Sequence, residues 1–384
     1  MIKREAESEL LSLAKSFKAV AVIGPRQSGK TTLTRYLFSE KPYVNLENPD
    51  DRRYALDDPR GFLSKYINGA VIDEVQRVPE LFSYLQQILD GDNRKGRFIL
   101  TGSNNFLLQE SISQSLAGRI GYLYLLPFTI NEVPESETSD LSASILKGFY
   151  PPVYDKNADY VRWYSNYIRT YVERDVRQIK NITNLNLFDR FIRLSAGRAG
   201  QMLNMNNLAL ECGVDNKTAG SWLGILESSF IVFRLQPHHR SYNKRVVKMP
   251  KLYFYDTGLI CSLLGIHNVH QLELHPLFGS IFENLIVSEL VKRSYNRTQK
   301  SNFYFWRDNT GHEIDILIDN AGVLFPVEIK SGKTISSEFF KGLLFWFNIS
   351  STEDGAVIYA GEAHQRRSSG IEIFPWNKIK SLKF

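Results

Sequence analysis

Eight consecutive residues near the amino terminus could bind phosphate groups. Residues 24–31 read Gly-Pro-Arg-Gln-Ser-Gly-Lys-Thr and complete the pattern G-x-x-x-x-G-K-[ST]. The glycines allow a turn that points backbone N–H groups at phosphate oxygens, and the positive end of the next helix dipole adds to the attraction. Lys30 would reach the β- and γ-phosphates of a nucleotide, and the Thr31 hydroxyl would hold Mg²⁺. The predicted nucleotide-binding residues are Gly24, Pro25, Arg26, Gln27, Ser28, Gly29, Lys30, Thr31 and Thr32.

Two acids that follow a later apolar run could complete this site. Residues 70–74 read Ala-Val-Ile-Asp-Glu, and a continuously apolar run is typical of a buried parallel strand. Asp73 would contact Mg²⁺ directly or through water, and Glu74 would polarise the water that attacks the γ-phosphate. The alternative is a strand that ends in two solvated acids. The position of the pair downstream of the phosphate loop favours the catalytic interpretation.

Three further residues could assist the same chemistry. Residues 97–101 (RFILT) predict another strand, and Ser103 and Asn104 follow it. Either residue could orient the attacking water between the two catalytic strands, or both could belong to an ordinary turn. Arg119 could stabilise charge on the transferred phosphoryl group, in its own subunit or in a neighbour's. The alternative for Arg119 is an arginine that only ends a helix.

The elements around these residues must bring them to one edge of a sheet. Apolar residues recur at helical spacing over 5–17 and 32–38, and an apolar run at 19–23 lies between them. The phosphate loop therefore joins a strand to a helix, which is the context that gives the pattern its meaning. Residues 43–46 predict a second short strand.

Together these residues resemble the AAA-type P-loop ATPases, over about residues 1–135. The resemblance implies a central parallel sheet, ATP and Mg²⁺ as ligands, Glu74 as the catalytic base and Asn104 as a sensor of the nucleotide. A preference for ATP over GTP is implied by the resemblance alone, since no residue pattern identifies a base pocket. Sites of this type are often completed by a neighbour's arginine, so the resemblance is compatible with a homo-oligomer. Among the roles that the resemblance implies for single residues, the role of Arg119 has the least specific support.

A long amphipathic helix is predicted over 160–180, where the sequence is dense in arginine and tyrosine. Its aromatic residues could stack on nucleic-acid bases, but a helix that packs across two domains needs the same residues, and packing is favoured. The stripe consists of Tyr164, Ile168, Tyr171, Val172 and Val176. The charged face, with Arg169, Glu173, Arg174, Asp175 and Arg177, is expected to be solvated or to form inter-domain ion pairs.

The pattern from 187 to 235 predicts a winged helix-turn-helix. Asn206 would cap a short helix that ends at Cys212, and Gly213 would form the turn. Asp215 would cap a second helix, and an apolar strand over 230–235 would follow.

A basic loop over 236–250 and a returning strand over 251–256 would complete the wing. Its cations would contact DNA phosphates, which give affinity without sequence choice. The alternative is an oligomerisation or regulatory module. The basic residues are His238, His239, Arg240, Lys244, Arg245, Lys248 and Lys251, and the outward residues of the second helix are Lys217, Thr218 and Ser221.

Acids and a lysine near the carboxyl terminus could form a second site. Asp315 and the pair Glu328 and Lys330 would lie on adjacent strands, and residues two apart in a strand face the same side. Two carboxylates can bind a divalent metal, which with a lysine can activate water for phosphodiester attack. The order resembles the PD-(D/E)XK restriction-endonuclease-like superfamily, with Glu283 as the additional helical acid. The alternative is a nuclease-like fold whose acids are buried in salt bridges.

The predicted fold class is α/β, in three domains. These are a P-loop ATPase domain at 1–135, a helical and winged-helix-like domain at 136–262 and a nuclease-like domain at 263–384. This arrangement resembles a widespread prokaryotic group of ATPases with an uncharacterised carboxyl-terminal domain. The leading hypothesis is a Mg²⁺-dependent ATPase that acts on DNA or is gated by it. The alternatives are a metal-dependent nuclease switched by ATP, and an ATP-dependent protein-interaction switch.

Composition agrees with a globular protein of the cytoplasm. Of 384 residues, 43% are hydrophobic and 23% are charged, and the net charge of +6 permits DNA binding without requiring it. Cys212 and Cys261 show no metal-binding spacing, so reduced thiols are expected. The chain contains no apolar stretch of the length that a membrane span needs, so no membrane contact is expected.

Overall fold

The computed structural model describes residues 2–103, 115–171, 184–238, 247–298, 302–350 and 352–382. The strands, numbered in chain order, are β1 Ala19–Ile23, β2 Tyr43–Asn45, β3 Ala70–Asp73, β4 Phe98–Gly102, β5 Ile120–Tyr124, β6 Gln201–Met202, β7 Val232–Leu235, β8 Lys251–Phe254, β9 Phe303–Arg307, β10 Glu313–Asn320, β11 Val323–Lys330, β12 Gly355–Tyr359, β13 Gln365–Arg366 and β14 Ile371–Pro375.

The helices of the described ranges surround these strands. They are Glu7–Ser16, Lys30–Leu37, Pro49–Asp57, Pro59–Ser64, Leu81–Asp90, Leu141–Lys147, Pro151–Asp155, Tyr160–Thr170, Leu185–Ala196, Met205–Cys212, Asn216–Ser228, Thr257–Leu264, Val269–Glu273, Phe278–Asn296 and Lys341–Ser350. None of these helices is both long and apolar enough to cross a membrane.

The first five strands form a parallel sheet in the order β2-β3-β4-β1-β5. Strand β4 therefore lies between β1 and β3, as the sequence predicted for the strand that precedes Ser103. All five strands run in one direction, so the residues that follow β1, β3 and β4 meet at the same edge. The sheet is covered on both faces, because alternate side chains of each strand enter two separate apolar clusters. The helix Glu7–Ser16 covers one face with Leu10, Leu13 and Ala14.

The middle of the chain folds into helices and a small antiparallel sheet in the order β6-β8-β7. The helices Met205–Cys212 and Asn216–Ser228 lie where the sequence predicted two helices joined at Gly213. Asp215 caps the second helix as predicted, through the Thr218 N–H at 2.9 Å. The first helix is capped by Asn204 and not by Asn206, because the Asn204 side chain accepts from the Asn207 N–H at 3.1 Å.

The predicted wing loop is anchored at both of its described ends to the edge strand β9. His238 N–H donates to the Phe305 carbonyl at 2.7 Å, and Val247 N–H donates to the Arg307 carbonyl at 3.1 Å. The residues between them, which include His239, Arg240, Lys244 and Arg245, lie outside the described ranges. Residues 172–180 of the predicted long helix also lie outside the described ranges, and its described part includes the helix Tyr160–Thr170.

The last six strands form a mixed sheet in the order β13-β14-β12-β11-β10-β9. Strands β9, β10 and β11 are antiparallel neighbours, whereas β12 lies parallel to β11 after the helix Lys341–Ser350. That helix covers one face of the sheet with Leu343 and Trp346.

The helix Phe278–Asn296 is the buried centre of the molecule. It packs against β5, β8 and β11, one strand from each of the three sheets. Burial on every side explains why its sequence lacks a polar face. The polar residues that it carries, among them Asn284, Glu289 and Lys292, are buried and bonded to neighbouring segments.

Candidate functional site

The phosphate loop connects β1 directly to the helix Lys30–Leu37. Its first glycine is required by a close approach of the backbone that directly follows β5, because a Cβ at Gly24 would lie 2.0 Å from the Leu125 carbonyl oxygen. Gly29 has a φ of 92°, a left-handed conformation that glycine adopts without strain. The Ser28 Oγ is fully buried and has no hydrogen-bond partner among the described residues. A buried polar atom inside a phosphate-binding loop is suited to a ligand oxygen.

Lys30, Thr31 and Asp73 converge at the carboxyl edge of the parallel sheet. The Thr31 hydroxyl donates to Asp73 Oδ2 at 2.9 Å, and Asp73 is buried at the end of β3. The Lys30 ammonium donates to the carbonyls of Gly24 and Pro25 at 2.9 and 2.7 Å, which holds it inside the loop. Adjacent hydroxyl and carboxylate oxygens are the ligands that Mg²⁺ prefers, so this group of residues fits a magnesium nucleotide.

Two residues that the sequence analysis missed complete the environment of Asp73. Tyr43 donates its hydroxyl to Asp73 Oδ2 at 2.7 Å, and Thr101 donates to Asp73 Oδ1. Burial, followed by the hydrogen bond to Asp73, raises the pKa of Tyr43 above its usual range, so its hydroxyl remains a donor. Both residues belong to strands that flank β3, and strand order was the signal that could have identified them.

Glu74 adopts a left-handed backbone conformation, with φ 56° and ψ 42°. This conformation is uncommon for a residue with a side chain and often marks a functional position. Its carboxylate accepts from Gln76 at 2.5 Å and from the Ser103 hydroxyl at 3.2 Å. Ser103, one of the two residues predicted to act between the catalytic strands, is therefore placed beside Glu74. Asn104, the other, lies outside the described residues.

Arg4 joins the phosphate loop to the segment after β5, and no sequence pattern identified it. Its buried guanidinium donates to the carbonyls of Ser28 and Leu126 at 2.8 and 2.7 Å. It also forms an ion pair with Glu132 at 3.0 Å and lies over the Phe128 ring. Arg4 thus fixes the loop and places a cation near the predicted phosphate site.

A cavity of about 1140 Å³ opens in front of the phosphate loop. The loop and the start of its helix form one wall, with Arg26, Gln27, Thr31 and Thr32. Another part of the wall comes from the middle of the chain. Its residues include Pro151, Pro152, Asp155, Lys156, Trp163, Tyr167 and Tyr171. The cavity is large enough for a whole nucleotide.

Arg119 is not brought to this site within its own chain. It directly precedes the amino-terminal end of β5, whereas the phosphate loop follows the carboxyl end of β1, and the two strands are parallel. Its guanidinium is paired with Asp90, with Nη2 at 3.1 Å from Asp90 Oδ2. A role in its own subunit is therefore unsupported by position.

One basic residue assigned to the predicted wing, Lys251, is buried and unavailable to DNA. Its ammonium is paired with Glu283 at 2.9 Å and with Glu313. Desolvation lowers the pKa of Lys251, but Tyr253 and the surrounding acids outweigh it and hold the pKa well above the usual value. Lys217 and Lys248, in contrast, are exposed.

The carboxyl-terminal acids form an ion-paired cluster around two lysines. Lys330 contacts Glu328 and lies 4.0 Å from Asp315, whose Oδ2 accepts from the Ile329 N–H at 2.7 Å. Glu283 accepts from Tyr253 as well as from Lys251. The structure therefore brings together Asp315, Glu328 and Lys330 as predicted, and it adds Lys251 from the middle of the chain.

Burial governs the charge state of this cluster. Desolvation, followed by the nearby Asp315 charge, raises the pKa of Glu328 to about 8. Desolvation also raises the pKa of Glu283 to about 6, against the opposing effect of Lys251. With Glu328 protonated near neutral pH, three carboxylates of the described cluster face three cations, Lys251, Arg307 and Lys330. No group of three or more metal-ligating side chains was found among the described residues.

Three family models match successive parts of this chain. An AAA domain matches residues 16–134, a domain of unknown function (DUF8612) matches 138–270, and a domain of unknown function (DUF4143) matches 278–379. Two mycobacterial proteins are similar over nearly the whole chain, "Uncharacterized protein Rv2008c" of Mycobacterium tuberculosis and "Uncharacterized protein Mb2031c" of Mycobacterium bovis. Each is 31% identical over 382 residues, which are 98% of this chain and 84% of the relative.

Solved structures are similar at lower identity. The Walker-type ATPase PABY2304 of Pyrococcus abyssi is 15% identical, with a TM-score of 0.45, over 68% of this chain and 96% of that one. A RuvB variant from Thermotoga maritima is 19% identical, with a TM-score of 0.32, over 61% of this chain and 90% of that one.

Proposed function

The chain belongs to the family of the two mycobacterial proteins and carries an AAA-type P-loop ATPase domain, and from this premise we propose that it binds and hydrolyses Mg²⁺-ATP. The observation that carries the proposal is the 2.9 Å contact between the Thr31 hydroxyl and Asp73 Oδ2, beside the buried Lys30. These three residues come from two separate strand ends, and a nucleotide site explains why a cation, a hydroxyl and an acid meet there.

Each residue has a distinct role in the proposed reaction. Lys30 and the loop N–H groups bind the phosphates, and Thr31 and Asp73 provide oxygen ligands for magnesium, which supplies charge neutralisation when bound. Glu74 accepts a proton from the attacking water, and Ser103 and Gln76 position its carboxylate. Arg4 holds the loop in its position through the hydrogen bond to the Ser28 carbonyl.

Two substitutions test this proposal. Lys30→Ala should abolish nucleotide binding, because the phosphate charges lose their cation. Glu74→Gln should bind ATP normally but hydrolyse it at least about 100-fold more slowly, which is the usual contribution of a general base. Glu80→Gln, an exposed acid nearby, is the matched control and should behave as wild type. Unchanged turnover in Glu74→Gln would refute the assignment.

We also propose that the ATPase cycle responds to DNA. The support is the net positive charge and the exposure of Lys217 and Lys248 on the predicted winged-helix region. The affinity for duplex DNA should fall as the salt concentration rises. Each lysine-to-alanine substitution should reduce the slope of log affinity against log salt concentration by about one. A turnover rate that is unaffected by any DNA form would favour the alternative of an ATP-dependent protein-interaction switch.

The carboxyl-terminal cluster supports a structural role better than a nuclease role. Its acids are buried or half-buried and are balanced by Lys251, Arg307 and Lys330, which removes the need for a metal to neutralise them. We therefore expect no nicking of plasmid DNA with Mg²⁺ or Mn²⁺, with or without ATP. Cleavage by the wild-type protein that Asp315→Ala abolishes would establish the nuclease alternative and a second metal site.

A further inference from the structure

Trp163 is a half-buried tryptophan in the cavity wall that has no role in the proposed phosphate chemistry. It lies on the helix Tyr160–Thr170, outside the ATPase domain, yet it lines the cavity of the phosphate loop. All five tryptophans of the sequence are described, and the other four, Trp222, Trp306, Trp346 and Trp376, are buried, whereas Trp163 is half-buried. A large apolar ring in a cavity that polar residues also line is a common ligand wall.

Neighbouring aromatic rings hold the Trp163 ring in place. Tyr167 stacks on Trp163 with ring centroids 5.1 Å apart and an interplanar angle of 20°, and Tyr150 packs against it at 5.1 Å. The Tyr150 and Tyr167 hydroxyls are 3.0 Å apart, which fixes both supporting rings. The Asp159 side chain caps the helix through the Arg162 N–H at 2.8 Å. A preorganised ring loses little freedom when a ligand stacks on it.

The other aromatic residues that line this cavity, Phe128, Tyr167 and Tyr171, are buried, and Phe128 is in addition already engaged. It is 2% exposed, lies under the Arg4 guanidinium and packs edge-on against Tyr154. Two polar residues of the same wall, Asp155 and Lys156, are exposed side chains on which water competes for every hydrogen bond.

We propose that the base of the bound nucleotide stacks on Trp163. This inference rests on the proposed function and extends it to the nucleoside. Stacking reads the area of the base and not its hydrogen-bonding edge. Purine nucleotides should therefore bind more tightly than pyrimidine nucleotides, and ATP and GTP should bind within a few-fold of each other. The base also joins the helix Tyr160–Thr170 to the phosphate loop.

The test compares nucleotides with a ligand that lacks a base. Titration calorimetry of the full chain with Mg²⁺ measures the Kd for ATP, GTP, CTP and inorganic tripolyphosphate. Trp163→Leu should weaken ATP binding about tenfold, on the scale of one base on one aromatic ring, and leave tripolyphosphate binding unchanged. Trp163→Phe keeps a stacking surface and should recover most of the affinity. Ser165→Ala, an exposed position on the same helix, is the matched control.

The outcomes separate this inference from the proposed function. Suppose that Lys30→Ala abolishes binding of every ligand, but Trp163→Leu leaves the ratio of the Kd for ATP to the Kd for tripolyphosphate unchanged. The ATPase assignment then stands and the stacking role is wrong. The stacking role would also be wrong if Trp163→Leu weakened the binding of ATP and of tripolyphosphate by the same factor. Equal affinity of the wild type for ATP and CTP would overturn it as well. In the wild type, ATP should quench tryptophan fluorescence and tripolyphosphate should not.

Discussion

At the scale of single residues, two glycines show how backbone contacts limit substitution. Gly24 faces the Leu125 carbonyl so closely that a methyl group must displace either the loop or β5. Gly220 lies on the exposed side of the helix Asn216–Ser228, where a methyl group would meet no heavy atom of the described residues within 4 Å apart from its chain neighbours and its own helix backbone. Substitution of Gly220 by alanine is therefore a suitable control for the same substitution at Gly24.

Gly24→Ala should destabilise the protein by about 1–3 kcal/mol through overpacking and should weaken nucleotide binding. Gly220→Ala should be neutral or stabilising by up to about 1 kcal/mol, since alanine favours a helix. Denaturant unfolding and nucleotide titration measure both effects. Normal stability and binding in Gly24→Ala would mean that the loop does not follow β5 as closely as described.

A second residue-scale prediction concerns pH and Glu328. Its pKa in the folded protein is raised from 4.5 to about 8 by burial and by Asp315. A raised carboxyl pKa means that the folded state binds more protons than the unfolded state between these values, so stability falls as pH rises through this window. The contribution is complete below about pH 4.5, and its slope is at most about 1.4 kcal/mol per pH unit.

Glu328→Gln should flatten the dependence of unfolding free energy on pH between about 5 and 8, because a neutral amide cannot ionise. Glu362→Gln, at an exposed position, should leave the dependence unchanged. Identical slopes in wild type and Glu328→Gln would show that Glu328 is already ionised at acid pH.

At the scale of elements, the helix Phe278–Asn296 connects the carboxyl-terminal half to the cavity in front of the phosphate loop. Glu289 accepts from the Ile130 N–H at 3.1 Å, and Lys292 donates to the Phe128 carbonyl at 2.8 Å. Phe128 lines the cavity and contacts Arg4, which holds the phosphate loop. The helix thus fixes the segment after β5 from one side while Arg4 fixes it from the other.

Glu289→Ala should lower the unfolding free energy by about 3–5 kcal/mol, because it leaves Lys292 and the Ile130 N–H buried with fewer partners. Glu289→Gln keeps one acceptor oxygen and should lower the unfolding free energy by less than Glu289→Ala does. Urea unfolding measures both variants, and ATP affinity should fall with them as the Phe128 segment loosens. A loss below about 1 kcal/mol in Glu289→Ala would mean that this connection contributes little.

At the scale of the whole molecule, Lys251 links the middle of the chain to the carboxyl-terminal sheet. Lys251→Met should cost about 3–5 kcal/mol, because Glu283 and Glu313 lose a buried cation. Lys248→Met, at an exposed position three residues away, should change stability by no more than about 0.5 kcal/mol. If Lys251→Met were neutral, the cluster would not join the two regions and the structural interpretation would be wrong.

Arg119 raises the question of assembly. Because it lies at the opposite edge of the parallel sheet from the phosphate loop, Arg119→Ala should leave ATP affinity within about twofold of wild type. In a homo-oligomer whose site is completed by this arginine, Arg119→Ala should lose turnover and regain part of it when mixed with Glu74→Gln chains. Turnover that stays at the wild-type level would limit Arg119 to its ion pair with Asp90.

Local patterns in the chain were enough to predict the phosphate loop, the Asp73–Glu74 pair and their common edge of a parallel sheet. Each of these follows from short contiguous strings and from the direction of the strands that such strings predict. Local patterns also located the helices on either side of Gly213 and the convergence of Asp315, Glu328 and Lys330, since the positions of residues on adjacent strands follow from local spacing.

Packing, in contrast, selected which distant residues meet. It buried Lys251 among acids more than 30 positions away, placed Trp163 in the wall of the cavity before the phosphate loop and brought Arg4 into contact with that loop. It also separated Arg119 from the site. The physical reason is that burial and pairing of a charge depend on neighbours brought together by the folded chain, and a local pattern carries no information about those neighbours.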